Sequence, residues 1–297
     1  MRIAITGASG LVGKALVQYQ NERSVEVLPM VRSNPQPGEV LWSPYESFDA
    51  SPLEGIDALV HLAGESIVGR WTASKRQRIR RSRVEATQNL CHHLLKLSAP
   101  PKTMLCASAI GYYGHRQEDW VDETSAPGQG FLASVAVDWE RATTAATEAG
   151  IRVCNCRFGM ILSAAGGALK TMLPLFRWGC GGRLGSGQQF WSWMAINDCV
   201  AALDHCLQHE ELRGPVNFVS PQPVRNREFT RVLAATVHRP ALLPAPAFAL
   251  RTLLGDMADE LLLASTRVAC TKLHGSGFQF RFPDLPSALG YLLRPTT

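Results

Sequence analysis

The sequence opens with Arg2-Ile3-Ala4-Ile5-Thr6-Gly7-Ala8-Ser9-Gly10-Leu11-Val12-Gly13. Residues 2–6 have the apolar, β-branched composition of a short strand, and the residues that follow the glycines have the spacing of an amphipathic helix. Between them, Gly7 allows a tight turn, Gly10 lets the backbone approach a ligand, and Gly13 lets the helix pack close to the strand. This context favours a phosphate-binding turn over an ordinary glycine-rich loop.

The start of this helix is the predicted binding site for the diphosphate of a dinucleotide. The first N–H groups of a helix have no partner within it, and its dipole adds a partial positive charge at the same end. The residues that we assign to cofactor binding on this basis are Gly7, Ser9, Gly10, Leu11, Val12 and Gly13.

The first half of the chain alternates between strand and helix patterns. Strands are predicted at residues 2–6, 25–31, 39–42, 58–62, 103–107 and 152–158. Helices are predicted at residues 11–23, 72–97 and 130–148. Strands separated by helices indicate βαβ units, and right-handed crossovers arrange them in a doubly wound parallel sheet. The fold class is therefore α/β, of the Rossmann type.

The second half of the chain is less regular. Helices are predicted at residues 196–208 and 226–237 and from Ala247 onward, after a glycine-rich stretch over residues 166–187. We predict a dinucleotide-binding Rossmann domain over residues 1–162 and a smaller substrate or lid lobe over residues 163–297, with some of its strands and helices returning to the main sheet. Such a lobe would cover the carboxyl edge of the sheet, where ligands bind in doubly wound folds.

Composition excludes several classes of protein. The 297 residues are 46% hydrophobic and 19% charged, with a net charge of +5, as in ordinary globular proteins. Six basic side chains crowd into residues 75–83. A solvated helix face, a nucleic-acid surface and a contact of part of the segment with the cofactor are the three interpretations. The first is favoured over the second because no aromatic residues are interleaved. We expect no nucleic-acid partner.

The chain is expected to be cytoplasmic and to have no membrane partner. No apolar run approaches the roughly 20 residues that cross a bilayer, and the N-terminus turns too soon for a signal peptide. The eight cysteines include no Cys-x-x-Cys pair, so we expect reduced, buried thiols and no metal site.

The end of the second strand favours NADP over NAD. An NAD site usually places an acidic residue there to accept a hydrogen bond from the ribose 2′-hydroxyl, whereas an arginine suits a 2′-phosphate. Arg32 occupies this position, and no acidic residue lies between Val27 and Gly38. The alternative is that Arg32 is simply an exposed residue at a strand end.

The spacing Gly-x-x-Gly-x-x-Gly after Thr6 resembles the extended branch of the short-chain dehydrogenase/reductase superfamily. Leu62, Ala63 and Gly64 match its small-residue strand end, which lies against the cofactor, and Ser108 fits its catalytic serine. The superfamily's Tyr-x-x-x-Lys pair is missing. When the helices are aligned, Leu132 and Ala136 occupy those two positions, and neither can transfer a proton.

Four further stretches, residues 157–162, 166–169, 181–189 and 193–198, resemble one subgroup of this superfamily. It consists of the atypical members known as epimerase family proteins, which are similar to nucleoside-diphosphate-sugar epimerases. The resemblance implies that Arg83 and Met160 also contact NADP, the alternative for Arg83 being one more solvated arginine of the basic helix. Members of the superfamily often dimerise, and by analogy we expect a homodimer.

Two functions remain in competition. The first is an NADP-dependent oxidoreductase or epimerase-like enzyme that acts on an unidentified small molecule, a nucleotide sugar being one class suggested by the resemblance. Ser108 and Tyr112 are its candidate catalytic residues, and the aromatic side chains at 178–193 form either a substrate lid or the core of the small lobe. The second is a non-catalytic NADP-binding redox sensor or regulator, which the missing Tyr–Lys pair favours.

Overall fold

The computed structural model describes residues 1–294. Its strands are Arg2–Thr6 (β1), Glu26–Val31 (β2), Val40–Leu41 (β3), Ala58–His61 (β4), Thr103–Ala109 (β5), Trp120–Val121 (β6), Arg152–Phe158 (β7), Met160–Leu162 (β8), Phe190–Trp191 (β9), Trp193–Ala195 (β10), Gly214–Phe218 (β11), Val224–Arg225 (β12) and Arg267–Val268 (β13). Its helices are Leu11–Asn21 (α1), Ala73–Arg81 (α2), Val84–Leu94 (α3), Phe131–Arg141 (α4), Thr144–Glu148 (α5), Gly167–Arg177 (α6), Ile196–Gln208 (α7), Asn226–Thr236 (α8), Ala247–Leu254 (α9), Thr271–Gly275 (α10) and Leu285–Leu292 (α11).

Seven strands form one parallel sheet in the order β11-β7-β5-β4-β1-β2-β3. The strand order reverses between β1 and β4, because the chain runs outward to β2 and β3 and then returns to the other side of β1. A crevice at the carboxyl ends of the strands opens at such a point. The predicted α/β, Rossmann-type fold is confirmed.

The prediction of a single helix over residues 72–97 is wrong, because this stretch forms two helices, α2 and α3. At the break, the Ser82 hydroxyl donates to the carbonyl of Ile79 and accepts the Glu65 N–H, both at 3.0 Å. A serine side chain that bonds to nearby backbone competes with the helical pattern. The loop after β4 is thereby attached between the two helices.

The prediction of one helix over residues 130–148 is wrong for a similar reason, because this stretch is divided into α4 and α5. The Thr143 hydroxyl donates to the Glu140 carbonyl at 2.7 Å, three residues earlier in the chain. The local hydrogen bond ends α4 at Arg141.

The second half of the chain both extends the main sheet and builds a lobe beside it. β11 pairs with β7 at the sheet edge, whereas β10 pairs with β8 just beyond the carboxyl end of β7. The core of the lobe contains Trp193, Phe229 and Leu289, all buried. The division of domains at residue 162 stays a prediction.

Two features bear on the environment of the protein. Within the described residues, no helix is both long enough and apolar enough to cross a membrane. All eight cysteines are free thiols, and only Cys180 is exposed, so no disulfide contributes to the stability of the fold.

Arg152, at the start of β7, connects the sheet to the end of α7. Its guanidinium donates to the carbonyls of Cys206 and Leu212 at 3.0 and 2.8 Å, and also to those of Leu207 and His209. The last carbonyls of a helix have no partner within it, so one cation satisfies several of them and complements the helix dipole.

Replacing Arg152 with alanine should lower the free energy of unfolding by about 3 kcal/mol, because part-buried carbonyls lose a charged donor. Urea unfolding followed by circular dichroism measures this change. Arg141→Ala is the matched control. That side chain is 72% exposed and, among the described residues, pairs only with Asp138, so it should change stability by less than about 0.5 kcal/mol. Equal, small losses for both variants would contradict the capping role.

Candidate functional site

The glycine turn and the end of β4 meet at the point where the strand order reverses. Gly7 has a φ of +70°, and a Cβ there would lie 2.8 Å from the Ala63 nitrogen. A Cβ on Gly13 would lie 2.2 Å from the Gly7 carbonyl oxygen. No side chain fits at either position, so α1 begins directly against the turn and its N–H groups face the crevice. The structure thus brings together the predicted turn and strand-end residues.

The Thr6 hydroxyl joins these two segments by hydrogen bonds below the crevice. Its hydroxyl accepts the N–H groups of Leu62 and Ala63 at 3.2 and 3.3 Å and lies 2.7 Å from Nδ1 of His61. Because the hydroxyl oxygen already accepts two hydrogen bonds, we assign its proton to Nδ1. His61 then carries its own proton on Nε2.

His61 extends this network to α3 and α4. Its Nε2 donates to the Thr87 hydroxyl at 3.1 Å, which also accepts the indole N–H of Trp139 at 3.0 Å. His61 is fully buried, and burial lowers its pKa to about 4, so the ring is neutral at physiological pH. A neutral, correctly oriented imidazole therefore connects β1, β4, α3 and α4 beneath the crevice.

Arg83 lies at the break between α2 and α3, next to the strand end. One of its terminal nitrogens donates to the carbonyls of Glu65 and Ile79, each at 3.1 Å. A Cβ on Gly64 would lie 3.5 Å from the Arg83 Cζ. Burial lowers the pKa of Arg83 to about 10, which still leaves the guanidinium charged at neutral pH. Its fixed position against Gly64 puts a positive charge beside the crevice.

Arg32 lies directly after β2 and is exposed. Its side chain makes no hydrogen bond or ion pair with the residues described by the structure. A cation at a strand end with no protein partner is available to an anionic ligand.

Ser108, near the end of β5, contacts a buried ion pair. Its hydroxyl donates to Glu140 at 2.7 Å, and the same carboxylate accepts two hydrogen bonds from Arg157, each 2.7 Å long. Burial opposes the charge of Arg157, but Glu140 more than offsets this effect and raises the arginine pKa. Ser108 is 2% exposed, so its hydroxyl faces Glu140 rather than open solvent.

The two tyrosines after β5 differ in environment. The Tyr113 hydroxyl is buried between Arg157 and Asn217, at 2.9 and 2.8 Å, and burial raises its pKa to about 12. The ring of Tyr112 lies 3.5 Å from the Arg157 guanidinium. Tyr112 is only partly buried, and no described residue forms a hydrogen bond with its hydroxyl.

Helix α4, on which members of the superfamily carry the Tyr–Lys pair, has the apolar residues Leu132 and Ala136 at those two positions. Leu132 packs beside Gly111, where a Cβ would lie 3.3 Å from the leucine Cβ, and Ala136 is buried. The N–H groups of Phe131 and Leu132 donate to Glu260, at 3.0 and 2.8 Å. The C-terminal region therefore caps α4 beside the position where related enzymes carry their tyrosine.

The structure also shows the positions of Met160 and of the aromatic side chains at residues 178–193. Met160 begins β8, and its N–H donates to the Ser192 carbonyl at 2.9 Å. Trp191 and Trp193 are buried, whereas Trp178 is 82% exposed. Trp191 and Trp193 therefore belong to the core of the lobe rather than to an open lid.

The basic segment at residues 75–83 is largely neutralised by acidic partners, which supports the solvated helix face and leaves little free charge for a nucleic acid. Each pair joins this segment to a carboxylate elsewhere in the fold or one turn away. The pairs are Lys75–Glu65, Arg76–Asp256, Arg78–Glu65, Arg80–Asp138 and Arg81–Glu85.

Three functional candidates were missed by the sequence analysis: His61, Glu140 and Arg157. A charged residue in the apolar strand 152–158 was the available signal, because a buried arginine requires an acidic partner. No sequence signal identified Glu140 as that partner or indicated that His61 connects four elements.

His61 should make stability depend on pH between about 4 and 6.5. The unfolded chain binds a proton near pH 6.5 and the folded chain only near pH 4, so stability is complete above that window and falls as the pH decreases through it. Between pH 7 and 4.5, the wild type should lose about 2.5 kcal/mol more than His61→Gln, as measured by urea unfolding at both pH values. The variant His274→Gln, at an exposed site, should behave like the wild type. Identical pH dependence in His61→Gln and the wild type would contradict the buried, neutral assignment.

Comparison with known proteins agrees with this geometry. The model of the NAD dependent epimerase/dehydratase family matches residues 3–219, and a domain of unknown function, DUF1731, matches residues 245–292. An epimerase family protein of Mycobacterium tuberculosis is 42% identical over 97% of this chain and 96% of its own length. The human epimerase family protein SDR39U1 is 34% identical over 97% of this chain and 98% of its own length.

Solved structures give the same result. The crystal structure of human SDR39U1 (isoform 2) with NADPH has a TM-score of 0.90 at 33% identity, covering 98% of this chain and 99% of that one. A UDP-N-acetylglucosamine 4-epimerase from Bacillus cereus, 17% identical with a TM-score of 0.78 and 98% coverage of both chains, shares the fold. The predicted family resemblance is confirmed, and the chain belongs to the NAD dependent epimerase/dehydratase family, as an epimerase family protein similar to SDR39U1 with the C-terminal DUF1731 domain.

Proposed function

We propose that this protein binds NADP in the crevice between β1 and β4 and acts as an oxidoreductase or epimerase-like enzyme on a small molecule. The observation that carries the proposal is the contact between the glycine turn and the end of β4. A Cβ at Gly7 or Gly13 would collide with backbone there, so the first N–H groups of α1 stay open to a diphosphate. The NADPH in the crystal of the human relative supports the same cofactor class.

The remaining cofactor contacts follow from position around this crevice. One side of the crevice, at the start of α1, is formed by Ser9, Gly10, Leu11 and Val12. The opposite side of the crevice is formed by Leu62, Ala63 and Gly64. We propose that Arg83, held against Gly64, contacts the cofactor beyond the diphosphate and that Met160 lies on the nicotinamide side. Bound NADP would supply or accept a hydride, and the chain's own residues would orient the substrate and manage the proton.

Tyr112 is the better placed of the two candidate catalytic residues. Its hydroxyl is free of described partners and is therefore available to donate a proton to a substrate, and its ring packs against the Arg157 guanidinium at 3.5 Å. Ser108 would act as a positioning residue rather than on the substrate, because its hydroxyl donates its proton to Glu140. This hydrogen bond fixes the carboxylate that binds Arg157. The cytoplasmic location, the homodimer and a nucleotide-sugar substrate stay predictions.

The preference for NADPH should depend on Arg32. Calorimetric titration should show NADPH binding at least about tenfold more tightly than NADH, a difference of roughly 1.4 kcal/mol, and Arg32→Ala should remove the difference. Arg231→Ala, at an exposed position on α8, is the control and should preserve it. Binding of neither nucleotide to the wild type would refute the proposed function, and equal binding of both would refute only the assignment of NADP.

Replacing Tyr112 with phenylalanine should reduce turnover about a hundredfold or more and leave NADPH affinity within twofold, because only the proton-donating hydroxyl is lost. The assay is NADPH consumption over a panel of aldehydes and ketones, with the exposed Tyr45→Phe as control.

Leu132 and Ala136, which replace the Tyr–Lys pair, favour a non-catalytic NADP-binding sensor as the second candidate. Tight NADPH binding by the wild type, with neither NADPH consumption nor epimer formation on any compound, would support that sensor, because an epimerase regenerates its cofactor and consumes none.

A further inference from the structure

A groove runs beside the proposed cofactor site, along α1 and β2. β2 and β3 pair in parallel although only residues 32–39 join them, and this connection contains turns and bends but no helix. Parallel neighbours are usually joined by a crossover of a dozen or more residues that contains a helix. Because that helix is missing, the flank of β2 beside α1 is uncovered and borders an open groove of about 660 Å³.

The groove is continuous with the adenosine end of the proposed cofactor site. Ser9 of the glycine turn and Val31 at the end of β2 both line it, and Arg32 follows Val31 directly. A 2′-phosphate held by Arg32 would therefore face the wall formed by α1.

Lys14 is the cation on that wall. It lies in the first turns of α1, lines the groove with Ser9 and Val31, and is exposed. None of the residues at 1–294 accepts a hydrogen bond from its ammonium group or forms an ion pair with it. The ammonium is therefore free to bind an anion in the groove.

Two carboxylates also face the groove, and neither cancels Lys14. Glu22 directly follows the end of α1, eight residues after Lys14, which is a rise of about 12 Å along the helix axis at 1.5 Å per residue. Its carboxylate accepts from the Gln18 amide at 3.1 Å. Glu39 accepts the Gln36 N–H at 2.8 Å, which partly satisfies its charge within its own loop.

We propose that Lys14, on the α1 wall of the groove, is a second cation for the 2′-phosphate of NADP, together with Arg32, which directly follows the lining residue Val31. This inference rests on the proposed function. A phosphate monoester carries between one and two negative charges at neutral pH, so one arginine leaves part of that charge uncompensated. The arginine offers a planar fork of donors, and the lysine adds a flexible point charge. Lys14 thus determines the specificity for NADP over NAD together with Arg32.

The test compares Lys14→Gln with the wild type by calorimetric titration at low ionic strength. The four probes are NADPH, NADH, 2′,5′-ADP and 5′-AMP. The substitution should weaken NADPH and 2′,5′-ADP about tenfold and leave NADH and 5′-AMP within twofold. Lysine and glutamine have similar helix propensities, so α1 should stay intact, and thermal unfolding checks this.

Lys102→Gln is the matched control. It makes the same change in charge at an exposed residue just before β5, at the amino edge of the sheet, and should leave all four affinities within twofold. Unchanged NADPH affinity in Lys14→Gln, or an equal loss for NADPH and NADH, overturns the role of Lys14 and leaves the proposed function standing. Failure of the wild type to bind NADPH overturns the proposed function and this inference together.

Discussion

The close contact between the glycine turn and the end of β4 is the constraint on which the site depends. The backbone of Ala63 lies against Gly7, and the backbone of Gly7 lies against Gly13, more closely than a Cβ on either glycine would allow. This contact brings the start of α1 to the point where the strand order reverses, and the crevice therefore opens beside unpaired N–H groups. Thr6 and His61 maintain it from below by hydrogen bonds that reach α3 and α4.

A buried ion pair forms the second fixed point, on the far side of the crevice. Glu140 on α4 and Arg157 on β7 are bonded through both oxygens of the carboxylate, and Ser108 and Tyr113 add further hydrogen bonds. Taking two charges out of water is compensated only when the geometry is good and further hydrogen bonds are made; here both carboxylate oxygens accept, and all three guanidinium nitrogens donate. Related enzymes use two polar residues of this helix for proton transfer, whereas in this chain the same helix has Leu132 and Ala136 at those positions. Polar groups instead concentrate between the helix and the sheet, around Arg157.

The C-terminal region closes one side of this arrangement. Glu260 caps α4, and Met257 packs with Trp71 and Ile79 beneath the loop that follows β4. Arg76 pairs with Asp256, which joins the basic helix α2 to the same region. The other ion pairs of this basic segment join it to Glu65, Asp138 and Glu85, so most of its positive charge is balanced by nearby carboxylates. This is a physical reason for so many arginines in a protein whose net charge is only +5.

The sequence by itself determined the fold class, the order of the strands along the chain and the glycine turn, because these depend on local periodicity and on the unique freedom of glycine. It also placed Arg32 at the end of β2 and showed that the Tyr–Lys pair is missing. The break in the helix at 130–148 comes from a local bond of the Thr143 hydroxyl, which the apolar periodicity does not register. Only the tertiary structure decided where the helix at 72–97 breaks, because Ser82 bonds to the distant loop after β4. The same holds for His61, Glu140 and the groove beside Lys14. Each depends on contacts between segments far apart in sequence, which no local pattern records.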